Sequence, residues 1–185
     1  RRRALWEPEG ADVLDYLRSR GYSDDLIQRM DVGARPVSEA GVPAGLKLPG
    51  GPEYRLLVPF RSRGGRLVAV AGRRLDGGEP RYMYPPGMGR ALLGQHVLRR
   101  DAVPVVVEGL MDAIVLEAAG VQGVVALGRA QASGGQIEVL RQYQRVVLAL
   151  DADDAGRAGT ERLVRALVRS GVKTYVAEWV GGAKD

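Results

Sequence analysis

The chain has no cysteine and a single histidine, His96. Disulfides, thiolate-ligated zinc and multi-histidine metal centres are therefore excluded, and a histidine-based catalytic triad is disfavoured. Any bound metal must be held by carboxylates, which favours hard cations such as Mg²⁺ or Mn²⁺. No apolar run approaches the ~18 residues that a membrane span needs. No charged-then-apolar leader pattern opens the chain, so the expected setting is the cytoplasm, with no membrane partner. Lysine is also scarce. Of 27 basic residues only Lys47, Lys173 and Lys184 are lysine; the rest are arginine, which suits bidentate phosphate contacts. G+C-rich codon usage is an equal explanation of that ratio. The net charge of +5 points more directly to a polyanionic partner.

What is present is ordinary for a globular protein: 45% hydrophobic and 26% charged residues over 185 positions, enough for one or two small domains. The first half reads as small α+β. Val13, Leu14 and Leu17 mark a short helix that Gly21 ends, and Ser23 is placed to cap a second. Leu56–Phe60 and Arg66–Gly72 read as a hairpin turned at Arg63-Gly64-Gly65. Residues 33–53 and 76–91 read as loop. From Val103 the texture alternates between apolar strands (105–107, 123–127, 146–150, 173–178) and helices (110–119, 135–142, 157–170). Such alternation predicts an α/β fold with a mostly parallel sheet covered by helices on both faces. The expected boundary separates 1–102 from 103–185.

Acidic residues follow three of these strands. Glu108 closes the first, with Gly109 behind it to allow close approach, and strand C-termini are where parallel sheets bind ligands. Asp112 lies in the next helical turn, where it either joins the site or only complements the helix dipole. Asp151 and Asp153 close the third strand. Two carboxylates so spaced share one side of an extended backbone and repel unless a cation lies between them. Asp154 is expected to cap the following helix. Lys184 and Asp185, after the fourth strand, offer one more cation and one more carboxylate. An acidic turn before a helix is the plain alternative for 151–154, but acids after several strand ends of one sheet need more than solubility to explain them.

These segments carry a family resemblance. Val107-Glu108-Gly109-Leu110-Met111-Asp112-Ala113 resembles the toprim glutamate motif. Ala126-Leu127-Gly128 resembles its central strand and turn. Leu150-Asp151-Ala152-Asp153-Asp154-Ala155-Gly156-Arg157 resembles its aspartate motif, and Lys184-Asp185 the start of its third acidic motif, truncated at the chain end. The version most similar is that of bacterial DnaG-type primases. Leu57-Val58-Pro59-Phe60, Ala71-Gly72-Arg73-Arg74-Leu75, Pro80-Arg81-Tyr82-Met83-Tyr84 and Gly89-Arg90-Ala91-Leu92-Leu93-Gly94 resemble the segments that precede toprim in the primase polymerase core. The chain departs from that pattern at Met88, where lysine is usual, and at Leu93, where tyrosine is favoured. The family's zinc-binding and helicase-binding domains are absent, as in an excised core or a piece of a mobile-element protein.

The resemblance implies a toprim fold behind a small α+β subdomain, and a DNA-directed RNA primase acting in DNA replication. Its reaction is metal-dependent nucleotidyl transfer with ribonucleoside triphosphates on a single-stranded DNA template. Asp151 and Asp153 would be metal ligands, Asp112 and Asp185 secondary ligands, and Glu108 a general base or a ligand. Arg73, Arg81, Arg90 and Lys184 would hold nucleotide or template phosphates. Tyr82 and Tyr84 either stack on bases or fill a small β layer. A replicative helicase is an expected partner through regions outside this chain. Two rivals share the fold: a toprim nuclease or topoisomerase-like enzyme, and a non-catalytic nucleic-acid-binding module.

Overall fold

The computed structural model describes residues 2–36, 46–62, 64–85 and 91–178. The chain folds into two compact units, Arg1–Met88 and Gly89–Asp185.

The first unit places helices α1 (Arg2–Leu5), α2 (Ala11–Ser19) and α3 (Asp24–Arg29) with a four-stranded antiparallel sheet. The sheet runs β1 (Gly33–Ala34), β2 (Leu56–Arg61), β3 (Leu67–Arg73), β4 (Tyr82–Met83) in sequence order. Helix α2 buries Val13, Leu14 and Leu17, the stripe expected from its spacing, and the Ser23 hydroxyl accepts from the Leu26 N–H at 3.3 Å to cap α3. The β2–β3 hairpin turns through Gly65, at φ +76°, and its register slips at Phe60/Arg61. Arginine is used heavily for support. Arg55 reaches Asp12 at 2.7 Å, Arg61 reaches Asp31 at 2.8 Å and Arg18 reaches Asp24 at 2.7 Å. These pairs take up part of the arginine surplus.

The second unit is α/β, with a parallel sheet flanked by helices. Strands β5 (Val105–Val107), β6 (Val124–Ala126), β7 (Arg145–Ala149) and β8 (Lys173–Val176) alternate with α4 (Leu110–Ala118), α5 (Gly134–Leu140) and α6 (Asp154–Val168). Their order is β6-β5-β7-β8, and all three pairings are parallel. The core gathers Val106, Val125, Leu140, Val146, Leu148, Leu163 and Leu167. The break between units falls before the expected residue 102. Leu92 is buried in this same core, and Leu93 exchanges two 3.1 Å backbone hydrogen bonds with Ala126, which adds an antiparallel bridge to the β6 edge. Nothing in the Gly- and Pro-rich sequence around 76–91 signals that attachment. Among the described residues, no helix is long and apolar enough to cross a membrane.

Candidate active site

From β5 the chain passes through α4 to β6 on one side, then through α5 to β7 on the other. That reversal falls between β5 and β7, whose C-terminal ends are the usual ligand position in an open α/β sheet. Val107 is in register with both Ala126 and Ala149. Glu108 thus leaves the central strand beside Leu127 on one flank and Leu150-Asp151 on the other.

Glu108 is half-buried, and its Oε2 is buried with no hydrogen-bond partner. Burial, and then the charges of Asp151, Asp153 and Asp112, push its carboxyl up to about 7 from an ordinary 4.5. A buried oxygen left unpaired is destabilising by about 1–3 kcal/mol. A hard cation shared with Asp151 would satisfy that oxygen and relieve the repulsion, so the donor set fits a carboxylate-bound divalent metal. Among the described residues, no three acidic side chains are already drawn together as a metal cluster. Asp185, Lys184 and Arg90 lie outside the described residues.

The aspartate turn corrects one expectation. Asp153, not Asp154, caps α6: its backbone is extended (φ −79°, ψ 176°) and its Oδ1 accepts from the Gly156 N–H at 2.7 Å. Asp154 is the first helical residue and pairs with Arg157 at 2.5 Å. One oxygen of Asp153 is therefore spent on the helix. A glycine makes the turn possible. A Cβ on Gly156 would collide with the Asp151 backbone carbonyl, so this turn needs the missing side chain, whereas one on Gly109 would meet only the movable carboxylate of Asp112. Asp112 is exposed in the first turn of α4, where it complements the helix end, and its charge acts on Glu108.

In the first unit the expected phosphate-binding arginines part company. Arg73 does not stand at the surface. It is buried, its guanidinium lies 5.3 Å from the Tyr16 ring centroid and 4.9 Å from that of Tyr82, and it donates to the Tyr82 hydroxyl. Its Nε and the Tyr16 hydroxyl are buried without partners. In this arrangement Arg73 is first a packing residue, because two rings far apart in sequence converge on it. Arg81 is exposed. Tyr82 lies in β4 and stacks on Tyr84 at 6.1 Å between centroids, which favours the β-layer role for Tyr82.

Two residues of the second unit went unremarked in the sequence. Gln136 is buried. It accepts from the Ser133 N–H at 2.9 Å while Ser133 Oγ accepts from its own N–H, and its Nε2 donates to Leu127 O (2.9 Å) and Ala91 O (3.0 Å). The Ser-x-x-Gln spacing is a readable capping box. Arg129 follows Gly128 (φ +75°) in the β6–α5 loop, at the same sheet edge as the carboxylates. A cation directly after a strand of this sheet was the available signal.

Residues 105–185 match the toprim-like family. The DNA primase of Synechococcus elongatus is 32% identical over 87% of this chain, which spans 28% of that protein's length. The zinc-binding and RNA polymerase domains of the Aquifex aeolicus primase superpose with a TM-score of 0.78 at 25% identity, covering 98% of this chain and 52% of that one. A DnaG primase catalytic domain bound to single-stranded DNA superposes with a TM-score of 0.74 at 25% identity, over 98% of this chain and 68% of that one. Residues 105–185 are a toprim domain, of the form carried by the catalytic core of DnaG-type primases.

Proposed function

We propose that this chain is the nucleotidyl-transfer core of a primase, joining ribonucleoside triphosphates into short RNA primers on single-stranded DNA. The observation that carries the reading is the buried, unpartnered Oε2 of Glu108 beside Asp151 at the sheet's reversal point. Asp151, the remaining oxygen of Asp153 and Glu108 would hold Mg²⁺ or Mn²⁺, with Asp112 and Asp185 as further ligands. Such a cation lowers the pKa of a bound hydroxyl and neutralises charge on the transferring phosphoryl group. The chain's own residues do the rest. Glu108, with a carboxyl near 7, is poised to take the proton of a primer 3′-hydroxyl when it is not itself a ligand. Asp153 fixes the α6 terminus, so that Asp151 stands at the sheet edge on a rigid turn. Arg81, and Arg90 and Lys184 from outside the described residues, supply phosphate contacts; Arg73 contributes by holding Tyr16 and Tyr82 in place.

The DnaG catalytic domain bound to single-stranded DNA supports the template assignment, since it shares this fold over nearly the whole chain. The primase fragment of the bacteriophage T7 primase-helicase shows the same fold at a TM-score of 0.63. A replicative helicase partner and a cytoplasmic setting at the replication fork belong to the same proposal. The test is incubation of the chain with ribonucleotides, Mn²⁺ and an unlabelled single-stranded template, with a parallel end-labelled DNA. Short RNA products that vanish in Asp151→Asn, with the labelled DNA uncut, are expected. Cut DNA without RNA products would replace this reading with the toprim nuclease.

A further inference from the structure

Two described arginines stand at the C-terminal edge of the second unit's sheet, Arg157 in the first turn of α6 and Arg129 in the β6–α5 loop, and only one is already engaged. Arg157 donates to Ala152 O and pairs with Asp154. Arg129 is exposed and takes part in no hydrogen bond or ion pair. That is unexpected at a sheet edge with four carboxylates, where a mobile arginine would fold onto an acid.

The loop explains why it does not. Residues 128–133 are tied at three places. Gly128 N–H donates to Glu108 O at 2.9 Å, so the loop's start is fixed to the backbone of the central carboxylate. Ala130 O sits where any Cβ on Gly159 would be, so α6 closes on the middle of the loop. Gln136 clamps its two ends, donating to Leu127 O and accepting from Ser133 N–H. Arg129 is therefore presented by a rigid backbone one strand away from Glu108. The β6 and β7 strands flank β5, about 9–10 Å apart. The charges that act on Glu108 are those of the three aspartates, so Arg129 does not discharge onto it.

We infer that Arg129 receives the polyphosphate tail of the incoming nucleoside triphosphate, whose metal-bound end lies at Glu108 and Asp151. The inference rests on the nucleotidyl-transfer reading above. A cation carried by a fixed backbone at the same sheet edge as a metal site suits a short polyanion that brings its own divalent ion. A nucleic-acid strand spreads its charge over successive phosphates, and one cation engages it at one of them only. A guanidinium fork also matches phosphate oxygens two at a time.

The test uses the full chain, with binding of ATP, inorganic tripolyphosphate and AMP measured by calorimetry in Mg²⁺, and a single-stranded oligonucleotide measured across a salt series. Arg129→Ala should weaken ATP and tripolyphosphate by about 10- to 100-fold, the loss of charge-assisted hydrogen bonds. AMP affinity, oligonucleotide affinity and Tm should hold. Arg129→Lys should recover part of the loss, because the charge returns without the fork. Tripolyphosphate binding that survives Arg129→Ala but is lost in Asp151→Asn overturns the assignment and leaves the metal site standing. An effect on the oligonucleotide alone overturns it in favour of a template contact. A wild-type chain that binds no ATP overturns the nucleotidyl-transfer reading, and this assignment with it.

Discussion

Replacing Glu108 by glutamine should remove a pH-dependent weakness from the metal-free fold. In the folded chain the Glu108 carboxyl titrates at about 7 against an ordinary 4.5, because burial and three neighbouring aspartates disfavour its charge. The folded state therefore binds this proton more tightly than the unfolded chain does. Its contribution to stability is whole below about pH 4.5 and is lost as the pH rises through 7. In a fully buried group such a displacement would be worth roughly 3 kcal/mol. Glu108 is only partly buried, and water screens the remainder, which brings the effect to about 1 kcal/mol. For a chain of this length that is roughly 2–4 °C in Tm. Melting curves of wild type and Glu108→Gln, recorded in EDTA at pH 5 and pH 8, should differ in slope by that amount, with the wild type losing more. Adding Mn²⁺ at pH 8 should raise the Tm of the wild type more than that of the mutant, which keeps Asp151 and Asp153 but has no ionised carboxylate at 108 for the cation to favour. Parallel pH dependences for the two proteins would refute the claim that Glu108 is a strained carboxylate awaiting a cation.

Changing Asp151 and Asp153 together to asparagine should abolish Mn²⁺ binding in calorimetry while leaving Tm within a degree or two, because asparagine at 153 still accepts the Gly156 N–H. Gly156→Ala should destabilise by about 1–3 kcal/mol in urea and weaken Mn²⁺ binding, since the new methyl must displace the Asp151 carbonyl; a wild-type urea midpoint would show that the turn yields freely. Arg73→Ala and Arg81→Ala should separate packing from phosphate binding. The first loses about 1–2 kcal/mol of stability with its two rings. The second keeps Tm and flattens the salt dependence of single-stranded DNA binding by about 0.7.

The parallel sheet was legible because its strands are short, wholly apolar runs such as Val105–Val107, with helical patterns between them and glycine stops. Both faces are covered, so no polar alternation blurs the signal. Glu108 and Asp151 were legible as carboxylates at the C-terminal edge of the sheet for the same reason: each follows the end of a buried strand within two residues. Other features depend on conformation at single residues. Whether Asp153 or Asp154 caps α6 turns on one backbone torsion, and both residues suit the position equally well in sequence. The fate of Arg73 depends on Tyr16, which arrives from another element, and no local pattern announces that a guanidinium will be enclosed rather than offered to a phosphate. Leu92 and Leu93 join the second unit's core and sheet edge through contacts with strands that come later in the chain. Local composition thus determined the strands, their helices and the acids at their ends. Which acids share a field, which arginine is buried and which is left presented were decided by the tertiary structure, because burial and Coulomb energy depend on distances between elements that the order of residues does not contain.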